Sequence, residues 1–443
     1  MHTRNLTAVV LPFISLFSIG NAQSTSGASL SDVLSKNDNL SSYSNLLRQQ
    51  FPAILETFEQ YNAQSTPITL LVPSNHAFEQ MQYSETLSAA FANNDTAVLQ
   101  QLIAYHALSG LWTSKTLNTT FKFLPSMTSG TNFSAVSGGQ RVGAVLQPPN
   151  PNTTFEHEMV FTSQAGTRSV VTFQDVPFAG GFIQVIDNFL IPPVGIAPTI
   201  ETFQLAYTPF AMTAFLGAVY SNPNNTRLAK YLNETRDLTV FVPANIAVEV
   251  VSNSLSSMDL TELLEYHVLT SDHGPLYSSD FANDTTLHTM NNKTLSMRFL
   301  PNSFFVNQAR VLTQDILLYN GVLHIIDGVL SPNSTDRLPN PTSATQMPVL
   351  PTNPNAAQMN VSMPPFTTYL PNDVSTEVPT TTATLDGYAV ASSTYTDAAT
   401  SMSTKKSSAH RVGVAGVGRD WVLVWITCAG TLMFASIGFW KML

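Results

Sequence analysis

The chain has 443 residues, enough for two or three domains of ordinary size, and its 44% apolar content supplies a sizeable core and argues against global disorder. Only 11% of residues are charged, against about 25% in an ordinary soluble domain, so the surface needs another source of solubility. The net charge of −10 and pI near 5.3 argue against wrapping a nucleic-acid backbone. A single cysteine, Cys428, leaves no partner for an intramolecular disulfide and too few ligands for a Cys/His zinc site.

At the N-terminus, Arg4 precedes the apolar run LTAVVLPFISLFSI (6–19), which is too short to span a bilayer comfortably. Gly20 and Ala22 then stand at −3 and −1 of a cut before Gln23, so residues 1–22 read as a cleaved secretory signal. Export fits the eleven Asn-x-Ser/Thr sequons at Asn39, Asn94, Asn118, Asn132, Asn152, Asn224, Asn233, Asn283, Asn292, Asn333 and Asn360. In a chain this poor in charge, sugar is the expected solubilising group.

Two copies of one module follow. SNLLRQQFPAILETFEQY (44–61) has apolar residues three and four apart and reads as helix, with Pro52 starting a new one. ITLLV (68–72) is a β-branched, apolar run stopped by Pro73, hence a buried strand, and Asn75 suits the turn or a helix N-cap. LIAYHALS (102–109) carries the pair Tyr105-His106. The polar, proline-containing QPPNPNTTFEHE (147–158) reads as an exposed loop, and VFTSQAGTRSVVTFQDV (160–176) as strands and turns. GFIQVIDNFLIP (181–192) closes the copy, and three prolines between Pro192 and Pro198 make a short stiff joint.

The second copy repeats this order. IETFQLAYTPFAMTAFLGAVY (200–220) reads as helix with Pro209 inside it. LTVFVPANIAVE (238–249) matches ITLLVPSNHAFE (68–79), LLEYHVLT (263–270) matches LIAYHALS, and GVLHIIDGVLSP (321–332) matches GFIQVIDNFLIP. The offsets shrink from 170 to 161 to 140 residues, so these are two domains, the second shorter, and no fixed-period solenoid. With helices early and strands late in each copy, the expected class is α+β, with domains at 28–195 and 197–333.

Beyond residue 333 the composition changes. Proline, serine and threonine supply 31 of the 70 residues from 341 to 410. No periodic apolar face stands out, so 334–409 reads as an extended, O-glycosylated stalk. The apolar run 421–440 is long enough to span a membrane. It is either a single-pass anchor or the signal for a glycosylphosphatidylinositol (GPI) lipid. Ser407, Ser408 and Ala409 offer the small attachment triplet with Ser407 as candidate site, and 410–420 the spacer. Lys405, Lys406, Arg411 and Arg419 precede the run and Lys441 alone follows it, a bias opposite to that of an exported single-pass helix, which favours the lipid.

The three paired motifs resemble the fasciclin domain over roughly residues 28–333: the strand-Pro-x-Asn-x-Ala-Phe block at 69–78, the pairs Tyr105-His106 and Tyr266-His267, and the Val-Ile-Asp and Ile-Ile-Asp strands with trailing Leu and Pro. The resemblance implies a β-sandwich flanked by helices, in tandem, tethered to a membrane and used in adhesion, with the Tyr-His pairs as candidate adhesion motifs. The Asp usual after the first proline is replaced by Asn75 and Asn245, and Val248 stands where the first copy has Phe78.

No Gly-x-Ser-x-Gly, Walker, Gly-x-Gly-x-x-Gly or His-Glu-x-x-His motif occurs. Glu156-His157-Glu158 is the densest titratable cluster and falls in the polar loop. Asp187 and Asp327 read as strand-end acceptors. Adjacent residues at a helix end point about 100° apart, which lets a Tyr-His pair place one ring inside and one outside. The alternative, that both rings find buried hydrogen-bond partners and lock the helix to the sheet, is preferred. The reading is therefore non-enzymatic, without catalytic residues, metal or cofactor. It is a glycosylated surface protein at the outer face of the plasma membrane or in the wall, with glycans, matrix proteins or another copy as partners. The alternative is a single-pass protein of a vacuole-like endomembrane acting in trafficking or fusion.

Overall fold

The computed structural model describes residues 27–370, apart from 62–65, 129, 131–132, 150–154, 207–210, 222–225, 256–259, 271–273, 301–302, 335–337, 344–345 and 354–363, and also a ribbon pairing Ala383–Leu385 with Tyr388–Val390. The signal, Pro209, Ser407 and the apolar run 421–440 lie outside the described residues. No helix among those described is long and apolar enough to cross a membrane.

Domain 1 opens with helices α1 (Leu30–Ser35), α2 (Ser41–Asn45) and α3 (Pro52–Gln60). Ser29 caps α1 by accepting from the Asp32 amide. Pro52 is the first residue of α3, where its missing N–H costs nothing. After β1 (Ile68–Pro73) come α4 (Asn75–Gln80), α5 (Glu85–Ala92) and α6 (Thr96–Tyr105). The strands β2 (Ala107–Ser109), β3 (Lys122–Pro125), β4 (Arg141–Gln147), β5 (Glu158–Thr162), β6 (Arg168–Phe178) and β7 (Gly181–Ile186) complete the domain.

The strand order is β2-β1-β7-β6-β5-β4-β3. β6 bends: it pairs with β5 through Arg168–Val170 and with β7 through Val171–Phe178, with register shifts between Val171 and Val176. Such bulges turn a strand from one layer into the next, and here they fold one ribbon into two packed halves. β1 and β7 run parallel at the centre, from Ile68 opposite Gly181 to Pro73 opposite Ile186. One face, with Leu70, Val72, Ile183 and Val185, packs against Leu99, Leu102 and Ile103 of α6. The other, with Leu71 and Ile186, meets Val142, Ala144, Met159 and Phe161 of the second half. Burial on both faces is why β1 reads as a run of apolar and β-branched residues. Each such side chain contributes about 1.5–3 kcal/mol when fully buried. Gly181 is required where β7 starts, because a Cβ there would fall on the Ile68 carbonyl. Gly321 meets the Leu238 carbonyl in the same way.

Domain 2 repeats the plan with α7 (Ile196–Ala206), α8 (Thr213–Ser221), α9 (Thr226–Glu234), β8 (Leu238–Pro243), α10 (Asn245–Val250), α11 (Ser252–Leu255) and α12 (Leu260–Glu265). Its later strands are β9 (Thr285–His288), β10 (Thr294–Leu300), β11 (Ser303–Val306), β12 (Ala309–Leu318) and β13 (Gly321–Ile326), in the order β8-β13-β12-β11-β10-β9. The fold is two tandem helix-flanked sandwiches, as the α+β reading expects.

Two expectations are corrected. Glu158 is not a loop residue: it starts β5 opposite Gln147 and lies 3.2 Å from Arg168 Nη2, which also donates to Gln147 Oε1 at 2.5 Å. The cross-strand arginine satisfies a carboxylate that the loop composition obscured, and only Glu156 and His157 are exposed. The segment after residue 333 is not extended throughout. Leu350, Phe366 and Leu370 pack on the core of domain 2, and Asn353 and Thr367 are buried. Apolar residues spaced along a Pro/Ser/Thr-rich stretch vanish in its average composition.

The domains meet through backbone. The Ala135 amide donates to the Tyr319 carbonyl (2.8 Å), and the Asp237 amide donates to the Ala135 carbonyl (3.1 Å). Asp237 accepts from the Ser137 amide (2.7 Å) and hydroxyl (2.5 Å), while Gln140 Nε2 donates to the Leu318 and Tyr319 carbonyls. Phe123 stacks on Tyr277 with ring centroids 4.4 Å apart. Asp237→Ala leaves the Ser137 donors without their acceptor, so the interface should weaken by about 1–3 kcal/mol. Calorimetry of the variant should then resolve the two domains into separate transitions that the native chain merges.

Candidate functional site

Each Tyr-His pair sits where a helix ends against the sheet. His106 follows α6, its Nδ1 is 2.8 Å from the Leu102 carbonyl, and the Leu190 amide donates to its Nε2 at 2.9 Å. A carbonyl can only accept and an amide N–H only donate, so Nδ1 carries the proton and the ring is neutral. Tyr105 points the other way, into the sandwich, and its hydroxyl donates to the Arg141 carbonyl on β4 at 2.9 Å. His267 repeats the arrangement with the Leu263 carbonyl (2.8 Å) and the Leu330 amide (3.0 Å). The Tyr266 hydroxyl donates to the Thr294 carbonyl (2.7 Å) and accepts from Asn307 Nδ2 (3.0 Å).

All four rings are at most 2% exposed. The arrangement with one ring outside does not occur, because the helix is sandwiched between its own layer and the sheet. Burial pushes the His106 and His267 imidazoles down to about 4, with the backbone carbonyls opposing weakly, and it raises both phenols.

Asp187 and Asp327 are strand-end acceptors. Each takes the backbone amide of the neighbouring strand, Val170 or Arg310, at 2.7 Å. Burial raises both carboxyls, against the pull of those amides. A second carboxylate pair, not singled out from the sequence, sits in the bulges of β6 and β12. Asp175 and Asp315 both have positive φ (56° and 61°). Asp175 accepts from the Ser114 amide and hydroxyl and from Gln184 Nε2, while its own amide donates to Gln184 Oε1. Asp315 accepts from the Ser278 amide and hydroxyl, and its amide donates to His324 Nδ1 at 3.2 Å. Burial raises the Asp315 carboxyl to about 7. The signal was available: Gln-Asp at 174–175 and at 314–315 repeats at the same 140-residue offset as the closing strand.

The family model of the fasciclin domain matches residues 38–192 and 212–332. The chain belongs to the fasciclin-domain family. Among its relatives, a fasciclin-like arabinogalactan protein of Arthroderma benhamiae is 27% identical over 79% of this chain and 76% of its own length. Fasciclin-like arabinogalactan protein CTB11 of Cercospora beticola is 28% identical over 69% and 76% respectively. A solved FAS1 domain pair from the insect cell adhesion molecule fasciclin I covers 68% of this chain and 99% of that one at 17% identity, with a TM-score of 0.32.

Within these fasciclin domains the Asn that replaces the usual Asp has a clear task. Asn75 Oδ1 accepts from the Ser42 amide, and its Nδ2 donates to the Asp38 carbonyl at 2.9 Å. Asn245 Oδ1 accepts from the Ala214 amide, and its Nδ2 donates to Thr213 Oγ1. An amide gives and takes at once, whereas a carboxylate would face the Asp38 carbonyl with a second acceptor. The Phe78 to Val248 difference also has a place. Phe78, Phe91 and Phe189 meet edge to face beside His106, with Phe78 and Phe189 centroids 4.9 Å apart. In the second domain Val248 and Val329 are smaller and border a small apolar cavity beside His267.

The sharpest sequence candidates, the Tyr-His pairs, are thus buried inside the domains and hydrogen-bonded to backbone. Glu156 and His157 do not join them, and no group of three or more His, Cys, Asp or Glu able to hold a metal occurs among the described residues. Two outcomes follow for domain 1. The unfolded His106 titrates near 6.5 and the folded one near 4, so its contribution to stability is complete above about pH 6.5 and is lost as pH falls towards 4. Chemical denaturation across that window should show the native chain losing about 3 kcal/mol more than His106→Gln, which keeps a donor and an acceptor but cannot charge. Tyr105→Phe should cost about 1 kcal/mol with no such pH dependence.

Proposed function

We propose that this protein is a non-enzymatic, glycosylated cell-surface protein that mediates adhesion or organises the wall or matrix through weak contacts multiplied over many copies. The family and the names of its fungal relatives support the reading. The observation that carries it is the division between inside and outside. The Tyr-His pairs and the Asp clamps engage backbone within each domain. Six sequon asparagines, Asn39, Asn94, Asn118, Asn283, Asn292 and Asn333, are exposed around both domains. Recognition is then left to the surface and its sugars, with glycans, matrix proteins or a second copy as partners. Asn233 is the exception among the described sequons. It lies half-buried in α9, its Nδ2 donates to the Ala229 carbonyl at 3.0 Å, and its own carbonyl accepts from the Tyr319 hydroxyl. Asn132, Asn152, Asn224 and Asn360 lie outside the described residues.

Peptide mapping after enzymatic deglycosylation should find the six exposed asparagines modified and Asn233 bare. The site of action is tested by treating intact cells with a phosphatidylinositol-specific phospholipase C and blotting for the folded domains. Release from intact cells, with loss of cell–cell or cell–wall attachment, is expected for a lipid attached near Ser407. Release only from opened membranes would move the protein to an internal compartment. No release at all, with the 421–440 peptide recovered from the protein, would overturn the lipid anchor in favour of a retained helix.

A further inference from the structure

The duplication supplies an internal control for one helix. Asn75 takes the Ser42 amide at the start of α2, and Asn245 takes the Ala214 amide at the start of α8, so α2 and α8 are counterparts. α2 is an ordinary surface helix, exposed at Ser41 and Asn45. α8 is buried at every residue from Thr213 to Val219. A helix that is buried all round must be covered on the side that α2 shows to water.

The cover is the segment whose composition suggests a stalk. The Asn353 amide donates to the Val250 carbonyl at 2.7 Å, and the Ser254 hydroxyl donates to the Pro351 carbonyl at 2.9 Å. Phe366 then crosses α8 at Gly217. A Cβ on Gly217 would stand 2.7 Å from the Phe366 carbonyl carbon and 3.2 Å from its Cβ, and directly on its oxygen. Glycine in the middle of a helix weakens it relative to alanine and needs a reason; the counterpart in α2 is the exposed Asn45. Phe366 itself has φ +64°, a conformation that bulky residues rarely adopt and that persists only where surrounding contacts impose it.

We propose that residues 346–353 and 364–370 act as a strap, an intramolecular ligand of domain 2 keyed to Gly217. The occupant of the α8 face is this chain's own proline-rich segment. Because the strap follows β13 in the chain, a pull from the C-terminal side loads Phe366 before it loads the sheet.

The sign of one substitution separates a docked strap from a free stalk. In a helix with nothing over it, Gly217→Ala stabilises. Under a docked strap, the added Cβ displaces Phe366. In the full chain, Gly217→Ala should therefore lower the melting temperature and raise the rate of proteolysis within 346–370 by about tenfold or more, as expected when a protected segment opens. Asn45→Ala, its counterpart in α2, should move neither. Phe366→Ala, which leaves domain 2 intact, should lower the melting temperature and expose the same peptides. A Gly217→Ala chain that melts at or above the native temperature with unchanged proteolysis overturns the strap. If Gly217→Ala prevents domain 2 from folding, Phe366→Ala decides: unchanged melting and proteolysis overturn the proposal.

Discussion

Each domain hangs on one imidazole. His106 and His267 accept a backbone amide from the segment that follows the central strand and donate to a carbonyl in the helix before them. The ring thereby fixes the angle between the helical layer and the sheet. Removing it would orphan a buried donor and a buried acceptor at once, each costing about 1–3 kcal/mol. The neighbouring tyrosine completes the joint from the other side. Its hydroxyl reaches β4 or β10, in the far half of the sandwich, so two consecutive residues tie three layers together. The packing around the joint is free to vary: Phe189 meets His106 within a cluster of three phenylalanines, whereas Phe215, Val248 and Val329 stand near His267.

The bulge clamp shows the same separation of geometry from chemistry. Gln184 and His324 occupy one position in the repeat, and each offers an acceptor to an aspartate amide and a donor to a carbonyl, of Trp112 or Leu276. A carboxamide does this in one orientation and a neutral imidazole in one tautomer. The electrical result differs. In domain 2 the buried Asp315 carboxyl rises to about 7 while His324 falls to about 4. Folding therefore favours the uncharged form of both groups, and the clamp is most comfortable between those values. Lowering pH from above 7 stabilises through Asp315, and falling below about 6.5 costs through His324.

What was legible in the sequence was what repeats. Strand β1, the Tyr-His helix end and the closing strand appear twice in one order, because each must satisfy a backbone geometry that few residues suit. The helix starting at Pro52 was legible for the same reason. Partnership across space was not. Glu158 looked solvated because its partner Arg168 lies on another strand. A Tyr-His pair at a helix end does not say whether one ring or both are covered, since that depends on the second half of the sandwich. The strap was hidden by averaging: Leu350, Phe366 and Leu370, which pack on the core, lie within a longer stretch rich in Pro, Ser and Thr. Gly217 in an otherwise apolar helix was the local sign that another backbone comes close.

On the proposed adhesive reading, the interface between the domains sets how the pair would engage a surface. Ala135, Ser137 and Gln140 of the first domain bond to backbone or a carboxylate of the second, and Ala165 enters the second domain's core. Backbone bonds of this kind permit little rotation without breaking, so the two outer faces keep a fixed spacing. Weak contacts gain from multiplicity only when geometry lets them form together. A pair of domains held at a fixed spacing meets that condition, because the interface makes one domain's contact position the other.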